Sequence, residues 1–183
     1  VVGGENLPRL RLLAERYRGS IPIRFCEGGK TRTESVFKGV CQMSPGISYA
    51  CVHDCARPFV TPEIIDSVIE GAKKAGAATA CSPVTDTIKF VDTEHSTVYT
   101  PKRDHLLAIQ TPQVFLRDRY TVAYAMAVKS GNTFTDETSM LEAAGGKVEY
   151  VKTDARNMKL TTKEDILLAR AILLIEKARE QGS

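Results

Sequence analysis

The chain has 183 residues, of which 43% are hydrophobic and 26% are charged, and its formal net charge is +3. This size and composition are typical of one globular domain and exclude disordered, collagen-like and coiled-coil proteins. The apolar runs are far shorter than the ~20 residues of a membrane span. Lysine and arginine form no basic block, so neither membrane nor nucleic acid is expected as a partner. The five cysteines have no metal-site spacing, which indicates reduced thiols in a cytoplasm.

The first half of the chain alternates between helical and strand patterns. Thr61 and Pro62 mark a helix start, because threonine is a good N-cap and proline a good first helical residue. The predicted elements are a helix over 7–17, a strand over 21–26, a helix over 34–41, a strand over 47–53, a helix from Thr61 and a strand over 77–84.

The pattern changes after residue 84. Short β-leaning segments over 86–91, 97–99 and 106–110 are separated by turn residues, which predicts a projecting β-arm over residues 86–113. Regular elements then return. The predicted ones are helices over 117–129 and 136–144, a strand over 148–151 and a closing helix begun by Thr162, with Asp165 at the capping-box offset.

Strands and helices that alternate at these lengths predict an α/β domain with a mostly parallel sheet and helices on both faces. One domain over residues 1–183 is expected. Such domains usually open on a strand and a phosphate-binding turn, whereas this chain begins with Val1, Val2, two glycines and a helix. The opening βα unit is therefore expected to be missing, which would make the domain N-terminally incomplete.

Ligands of parallel sheets bind beyond the carboxyl ends of the strands, so the residues after each strand are candidates. Gly28, Gly29, Lys30 and Arg32 follow the first predicted strand and lead into the helix that carries Ser35. Two glycines let a backbone approach a ligand, and a helix N-terminus offers N–H groups to an anion or a base carbonyl. An ordinary glycine turn capped by threonine is the alternative. Neither a dinucleotide-binding nor a P-loop motif is present.

A second candidate segment, His53-Asp54-Cys55-Ala56-Arg57, follows the strand over 47–53. Asp54 suits Mg²⁺, which needs only one or two carboxylates beside substrate phosphates, and Arg57 suits a phosphate. An Asp–Arg pair that stiffens a turn is the alternative. The cysteines of this region have no second pair, so zinc is not expected.

Other polar clusters have simple structural alternatives. The charged residues at 85–89 and 102–105 flank arm strands, and edge strands commonly carry such residues to discourage aggregation. Thr135 could merely cap the helix that follows it, and Lys159 could merely be solvated.

Six motifs stand in order between about Gly28 and the last helix: GGKTRTESV, VHDCARPFV, DTIKFVD, RDHLLAIQTPQVF, TDETSMLE and NMKLTTKEDILLA. Together they resemble the bacterial 2-C-methyl-D-erythritol 4-phosphate cytidylyltransferases of the non-mevalonate isoprenoid pathway. A sister family, which transfers CMP to ribitol 5-phosphate or ribulose 5-phosphate, shares much of this pattern. Its members usually lack a lysine at the position of Lys89.

The resemblance implies a Rossmann-like nucleotidyltransferase fold in which the substrate's phosphate attacks the α-phosphorus of CTP, with Mg²⁺ bound and pyrophosphate leaving. It also implies a homodimer whose β-arm places Arg103 and Thr111 in the partner's site. The implied nucleotide-binding residues are Gly28, Gly29, Lys30, Arg32, Ser35, Asp54 and Cys55. The implied substrate-binding residues are Arg57, Thr87, Arg103, Thr111, Thr135 and Lys159. Among these residues Asp54, Arg103 and Lys159 would be catalytic, and Asp54 would hold the metal.

The family opens with a strand and a glycine-rich loop whose Arg and Lys grip the triphosphate, and this block is absent from the chain. Removing such transition-state stabilisers ordinarily costs roughly 3 kcal/mol or more. We therefore expect little transferase activity from these 183 residues alone. The alternatives are a ribitol or ribulose 5-phosphate cytidylyltransferase, a catalytically inactive nucleotide-binding remnant, and a sugar-phosphate nucleotidyltransferase that uses UTP or GTP.

Overall fold

The computed structural model of the chain describes Val1 and residues 6–16, 22–92, 94 and 96–181. Its helices are α1 (Leu7–Arg16), α2 (Arg32–Cys41), α3 (Pro62–Ala75), α4 (Arg117–Ser130), α5 (Glu137–Ala143) and α6 (Lys163–Gln181). Its strands are β1 (Tyr49–Val52), β2 (Ala77–Pro83), β3 (Phe90–Asp92), β4 (Thr97–Tyr99), β5 (Leu107–Leu116) and β6 (Glu149–Lys152). Among the described residues, no helix is both long and apolar enough to span a membrane.

The central sheet has the strand order β1-β5-β2-β6. β6 pairs parallel to β2, while β5 pairs antiparallel to both β1 and β2. Three of the four strands thus run in one direction, which confirms the mostly parallel sheet. The reversed strand β5 brings its residues 110–113 between the two neighbours, where they become part of the candidate site.

Helices cover both faces of this sheet, as the alternation predicted. On one face Ala50, Ala77 and Phe115 pack with residues of α2, α4 and α5. On the other face Ala78 and Val114 pack with residues of α3. Successive strand residues point to opposite faces, so neighbours in the sequence belong to different halves of the core.

Helix α3 begins where the sequence predicted it, because the local signals at its start are strong. The Thr61 side chain accepts a hydrogen bond from the Ile64 N–H, and Pro62 occupies the first turn. Gly76 ends the helix at φ 95°, a left-handed conformation that glycine adopts without a Cβ penalty. The strand β2 then begins at the next residue.

Several predicted elements differ from the observed ones. The predicted strand over 21–26 is wrong, because residues 22–26 form no strand; Ile21 lies outside the described residues, as does Tyr17 at the end of the predicted first helix. Residues 86–89 are also not a strand, and β3 begins only at Phe90. Alternation alone indicates a strand, but a strand forms only where a neighbour pairs with its backbone.

The hairpin of β3 and β4 forms a separate two-stranded sheet. Its apolar side chains are exposed, among them Val91 and Val98, and the rings of Phe90 and Tyr99 stack at a centroid distance of 4.9 Å. The predicted arm over 86–113 extends too far, because β5 already lies in the central sheet from Leu107 onward. The arm proper is therefore this hairpin and its flanking turns.

Candidate functional site

The carboxylate of Asp54, two residues after β1, is surrounded by cations from three parts of the chain. Its Oδ2 lies 2.8 Å from Nζ of Lys159 and 3.8 Å from Nε of Arg57. Its Oδ1 lies 3.9 Å from Nη2 of Arg32. Because β1 and β6 run in the same direction, the turns after them meet at one edge of the sheet, which brings Asp54 and Lys159 together.

The charges around Asp54 decide its protonation. Partial burial disfavours the ionised form, but the hydrogen bond and charge of Lys159, with Arg32 and Arg57, outweigh it and hold the pKa of Asp54 below its ordinary value. Burial lowers the pKa of Arg57 against the opposing charge of Asp54. The group is thus a fixed anion among cations near neutral pH.

The turn that follows β6 fixes the side chain of Arg57 through a hydrogen bond. Its Nη1 donates to the carbonyl oxygen of Asn157 at 2.8 Å, and the Leu160 N–H donates to the carbonyl of Ala56 at 2.8 Å. Asn157 is fully buried, and its side-chain amide donates to the carbonyl of Thr111 at 2.8 Å. The guanidinium of Arg57 therefore has a fixed orientation beside Asp54.

The buried segment Gln110-Thr111-Pro112-Gln113 lies beneath the Asp54 loop. The Thr111 hydroxyl accepts a hydrogen bond from the Asp54 N–H at 3.0 Å and lies 3.0 Å from Nδ1 of His53. The side-chain oxygen of Gln110 accepts from the amide of Asn157 at 2.9 Å. Thr111 is only 4% exposed in the isolated chain, where its hydroxyl supports the Asp54 loop, and its place in a partner's site stays a prediction.

Arg32 is paired with a carboxylate that the sequence did not single out. Its two terminal nitrogens donate to Glu137 at 2.5 and 2.9 Å, and Glu137 is only 1% exposed. The Glu137 N–H donates to the side chain of Gln113 at 3.0 Å. Glu137, Gln110, Gln113 and Asn157 all lie inside the quoted motifs, so motif membership was the available signal for them.

The glycine segment before α2 is closed by its own side chains. The Gly29 N–H donates to Oγ of Ser35 at 2.9 Å, and the Lys30 N–H donates to the carboxylate of Glu34 at 2.7 Å. Thr31 accepts from the Glu34 N–H as the N-cap of α2. A Cβ at Gly29 would collide with the Glu34 side chain, so glycine is required there for this tight turn.

A cleft of about 530 Å³ lies between α2 and β1. Several of the residues predicted to bind nucleotide line it, namely Arg32, Ser35, Asp54 and Cys55. Its walls are otherwise mainly apolar, including Val36 and Val52, as is usual for a small-molecule pocket with a few polar groups.

Three predicted substrate-binding residues stand apart from this cluster. Arg103 donates to the carbonyl of Thr85 at 3.0 Å, near the base of the hairpin. Within the described ranges, no hydrogen bond or ion pair connects Arg103, Thr87 or Thr135 with Asp54. All three residues are exposed in the isolated chain.

The known proteins that are similar to this chain in sequence and structure are named for the same enzyme activity. Residues 5–175 match the family IspD: 2-C-methyl-D-erythritol 4-phosphate cytidylyltransferase. The enzyme of that name from Alkaliphilus oremlandii is 40% identical over 156 residues, which are 85% of this chain and 65% of that protein. The one from Bacillus licheniformis is 38% identical over 98% of this chain and 77% of its own length.

Solved structures give the same result. The 4-diphosphocytidyl-2C-methyl-D-erythritol synthase of Anaerococcus prevotii matches with a TM-score of 0.87 and 31% identity, over 95% of this chain and 80% of that one. The 2-C-methyl-D-erythritol 4-phosphate cytidylyltransferase of Thermus thermophilus matches with a TM-score of 0.73 and 31% identity, over 94% and 90%. This confirms the predicted fold and enzyme class, and the chain belongs to the 2-C-methyl-D-erythritol 4-phosphate cytidylyltransferase family.

Proposed function

We propose that the protein transfers CMP from CTP to 2-C-methyl-D-erythritol 4-phosphate, giving 4-diphosphocytidyl-2-C-methyl-D-erythritol and pyrophosphate. The convergence of Arg32, Arg57 and Lys159 on Asp54 carries the proposal. Three cations face this one carboxylate, and even with Glu137 paired to Arg32 the cluster keeps a positive excess. Phosphate groups are the natural ligands for such an excess, since guanidinium and ammonium groups bind them through charge-assisted hydrogen bonds.

The reaction needs no nucleophile from the protein. An oxygen of the sugar phosphate forms the new bond to the α-phosphorus of CTP, and the bond between that phosphorus and the bridging oxygen to the β-phosphate breaks. The electron pair leaves with pyrophosphate. Arg57 and Lys159 would orient the attacking phosphate and reduce its repulsion from CTP, so positioning and charge supply the catalysis.

The residues present fit a magnesium ion. Oδ1 of Asp54 accepts no hydrogen bond from any described residue, and its side chain is 19% exposed. In the part of the chain that the structure describes, no three acidic, histidine or cysteine side chains cluster as a metal cage. Asp54 and the phosphates of CTP would therefore hold Mg²⁺, as this ion prefers. Bound there, it would neutralise charge that develops on the phosphates.

We also propose that the hairpin of β3 and β4 joins two subunits. Its exposed apolar side chains and the exposed Arg103 at its base support this arrangement, because a partner's site could use both. The five cysteines are free thiols, which supports a reducing, cytoplasmic location.

Pyrophosphate release tests the proposed reaction. The product of the full reading frame that contains this sequence is incubated with Mg²⁺, one of CTP, UTP or GTP, and one sugar phosphate. We expect release with CTP and methylerythritol phosphate, and a loss of about 10²-fold or more in kcat/KM for Lys159→Ala, which removes a stabilising charge. Arg103→Ala tests the arm: an unchanged rate and an unchanged KM for the sugar phosphate would contradict its role.

The other outcomes identify the alternatives. Release with ribitol 5-phosphate supports the sister activity, against which the presence of Lys89 argues. Release only with UTP or GTP supports a different nucleotidyltransferase. A protein that binds CTP but releases nothing with any sugar phosphate is an inactive nucleotide-binding remnant.

A further inference from the structure

Glu137 is a buried carboxylate for which the proposed reaction has no direct use. It is 1% exposed, and burial raises its pKa against the opposing hydrogen bond and charge of Arg32. A carboxylate in such a place is costly unless it is paired, and Glu137 is paired through both oxygens with Arg32. The desolvation cost of this buried ion pair indicates that Glu137 has a role in the site.

Glu137 itself has little freedom to move. Its N–H donates to the side chain of Gln113, whose amide nitrogen in turn donates to Asp136 at 2.9 Å. Asp136 is the N-cap of α5 and accepts from the Ser139 N–H. The carboxylate of Glu137 is therefore fixed by β5 and by the first turn of α5.

The two oxygens of Asp54 are used differently. Oδ2 contacts Lys159 at 2.8 Å and faces Arg57 at 3.8 Å. Oδ1 has Arg32 as its cationic neighbour, but the 3.9 Å separation is too long for a hydrogen bond. Arg32 is thus within one small side-chain movement of Asp54, yet it remains bonded to Glu137.

We propose that Glu137 is a positioning residue, which holds Arg32 away from Asp54 and so keeps Oδ1 of Asp54 free for the divalent cation that accompanies CTP. Without the Glu137 charge, the guanidinium would close the gap and occupy that oxygen. This inference rests on the proposed function in one respect, namely that the cation and CTP are ligands of the site.

Binding of Mn²⁺, a spectroscopic stand-in for Mg²⁺, tests the inference without any turnover. Free Mn²⁺ is measured by electron paramagnetic resonance, with and without CTP, for the full-reading-frame protein and its variants. In Glu137→Gln the amide N–H₂ repels one edge of the guanidinium and the negative charge is lost. We expect Mn²⁺ binding to weaken by about tenfold, the usual effect of losing a group that orients a metal ligand.

The double variant Arg32→Ala with Glu137→Gln distinguishes positioning from a merely structural role. It leaves no guanidinium to occupy Asp54, so in the absence of CTP we expect Mn²⁺ affinity to return to within about twofold of wild type, although Glu137 is still replaced. Lys38→Ala is the matched control, because it removes a positive charge from the same helix at a distance from Asp54. It should leave the affinity of the Glu137→Gln background unchanged. Thermal unfolding checks that every variant is folded.

Three results would overturn the inference. They are unchanged Mn²⁺ binding in folded Glu137→Gln, failure of the double variant to recover, and a wild-type protein that binds no Mn²⁺ with or without CTP. A wild type that binds Mn²⁺ and CTP but releases no pyrophosphate would contradict the proposed reaction alone. The comparison of variants would then still decide the role of Glu137.

Discussion

At the scale of single residues, Asp54 is subject to two opposing effects on its ionisation. It must be ionised to hold a cation, yet it lies partly buried, where ionisation is disfavoured. The three cations around it resolve the conflict by lowering its pKa. The three cations also repel one another, and the negative charge of Asp54 reduces this repulsion.

The pH dependence of stability should report this role. The pKa of Asp54 lies below its ordinary value of 3.8, so its contribution to folding is complete above that value and is lost as the pH falls through the lower folded-state pKa. We expect Asp54→Asn to be less stable than wild type near neutral pH by about 1 kcal/mol, a modest figure because the pair with Lys159 is partly solvated.

The difference should shrink in acid, because a protonated Asp54 resembles the asparagine that replaces it. Urea unfolding of both proteins between about pH 3 and about pH 7 measures this change. Lys159→Met serves as the control, since the same Asp54→Asn change made in that background should show a weaker pH dependence. A constant difference across the range would show that Asp54 is not held by these charges.

At the scale of secondary structure, the first turn of α5 connects the core to the site. Asp136 caps the helix and accepts from Gln113 of β5, and the next residue, Glu137, holds Arg32. The hydrogen bonds to Asp136 from Ser139, Thr138 and Gln113 outweigh its burial and lower its pKa. One turn of helix therefore aligns a buried strand with a cation of the cleft.

Loss of the Asp136 cap should cost more than loss of an ordinary N-cap. We expect Asp136→Ala to lower the free energy of unfolding by about 2 kcal/mol, because the helix loses its cap and the buried amide of Gln113 loses an acceptor. Thr61→Ala, which removes only the cap of α3, should cost about 1 kcal/mol. Urea unfolding gives both values, and equal losses would mean that the contact with Gln113 adds nothing.

At the scale of the whole molecule, the surface of interest is the one that we propose joins two subunits. The hairpin of β3 and β4 lies outside the central sheet and exposes apolar side chains on short strands. An isolated two-stranded hairpin is only marginally stable in water, so an apolar one usually packs against something else. A second subunit is the proposed partner.

A charge on the hairpin should therefore separate the subunits. Val98 is 62% exposed on β4 and Val122 is 60% exposed on α4, so Val98→Asp and Val122→Asp place the same new charge on equally exposed sites. We expect Val98→Asp to raise the dissociation constant of the dimer by about tenfold or more and Val122→Asp to leave it unchanged. Light scattering over a range of concentrations measures both. If both substitutions leave the dissociation constant unchanged, the interface lies elsewhere.

The sequence by itself determined the order of most elements, the two-sided packing of the sheet and the family. These features rest on local patterns and on motifs, such as the Thr61 cap and alternation along the strands, that neighbouring residues specify. The same local reasoning failed at residues 22–26, whose alternating pattern meets no pairing strand among the described residues. Local reasoning also assigned part of β5 to the arm, because the sequence of a strand does not show its direction or its neighbours in the sheet.

Only the tertiary structure decided how the site is built. Asp54 and Arg57 were candidates from their place after a strand, but nothing local showed that Lys159 lies 2.8 Å from Asp54. Glu137 passed unnoticed, because its partner Arg32 is 105 residues away along the chain. A charge acquires its role from the groups that surround it in space, and chain folding alone sets those distances.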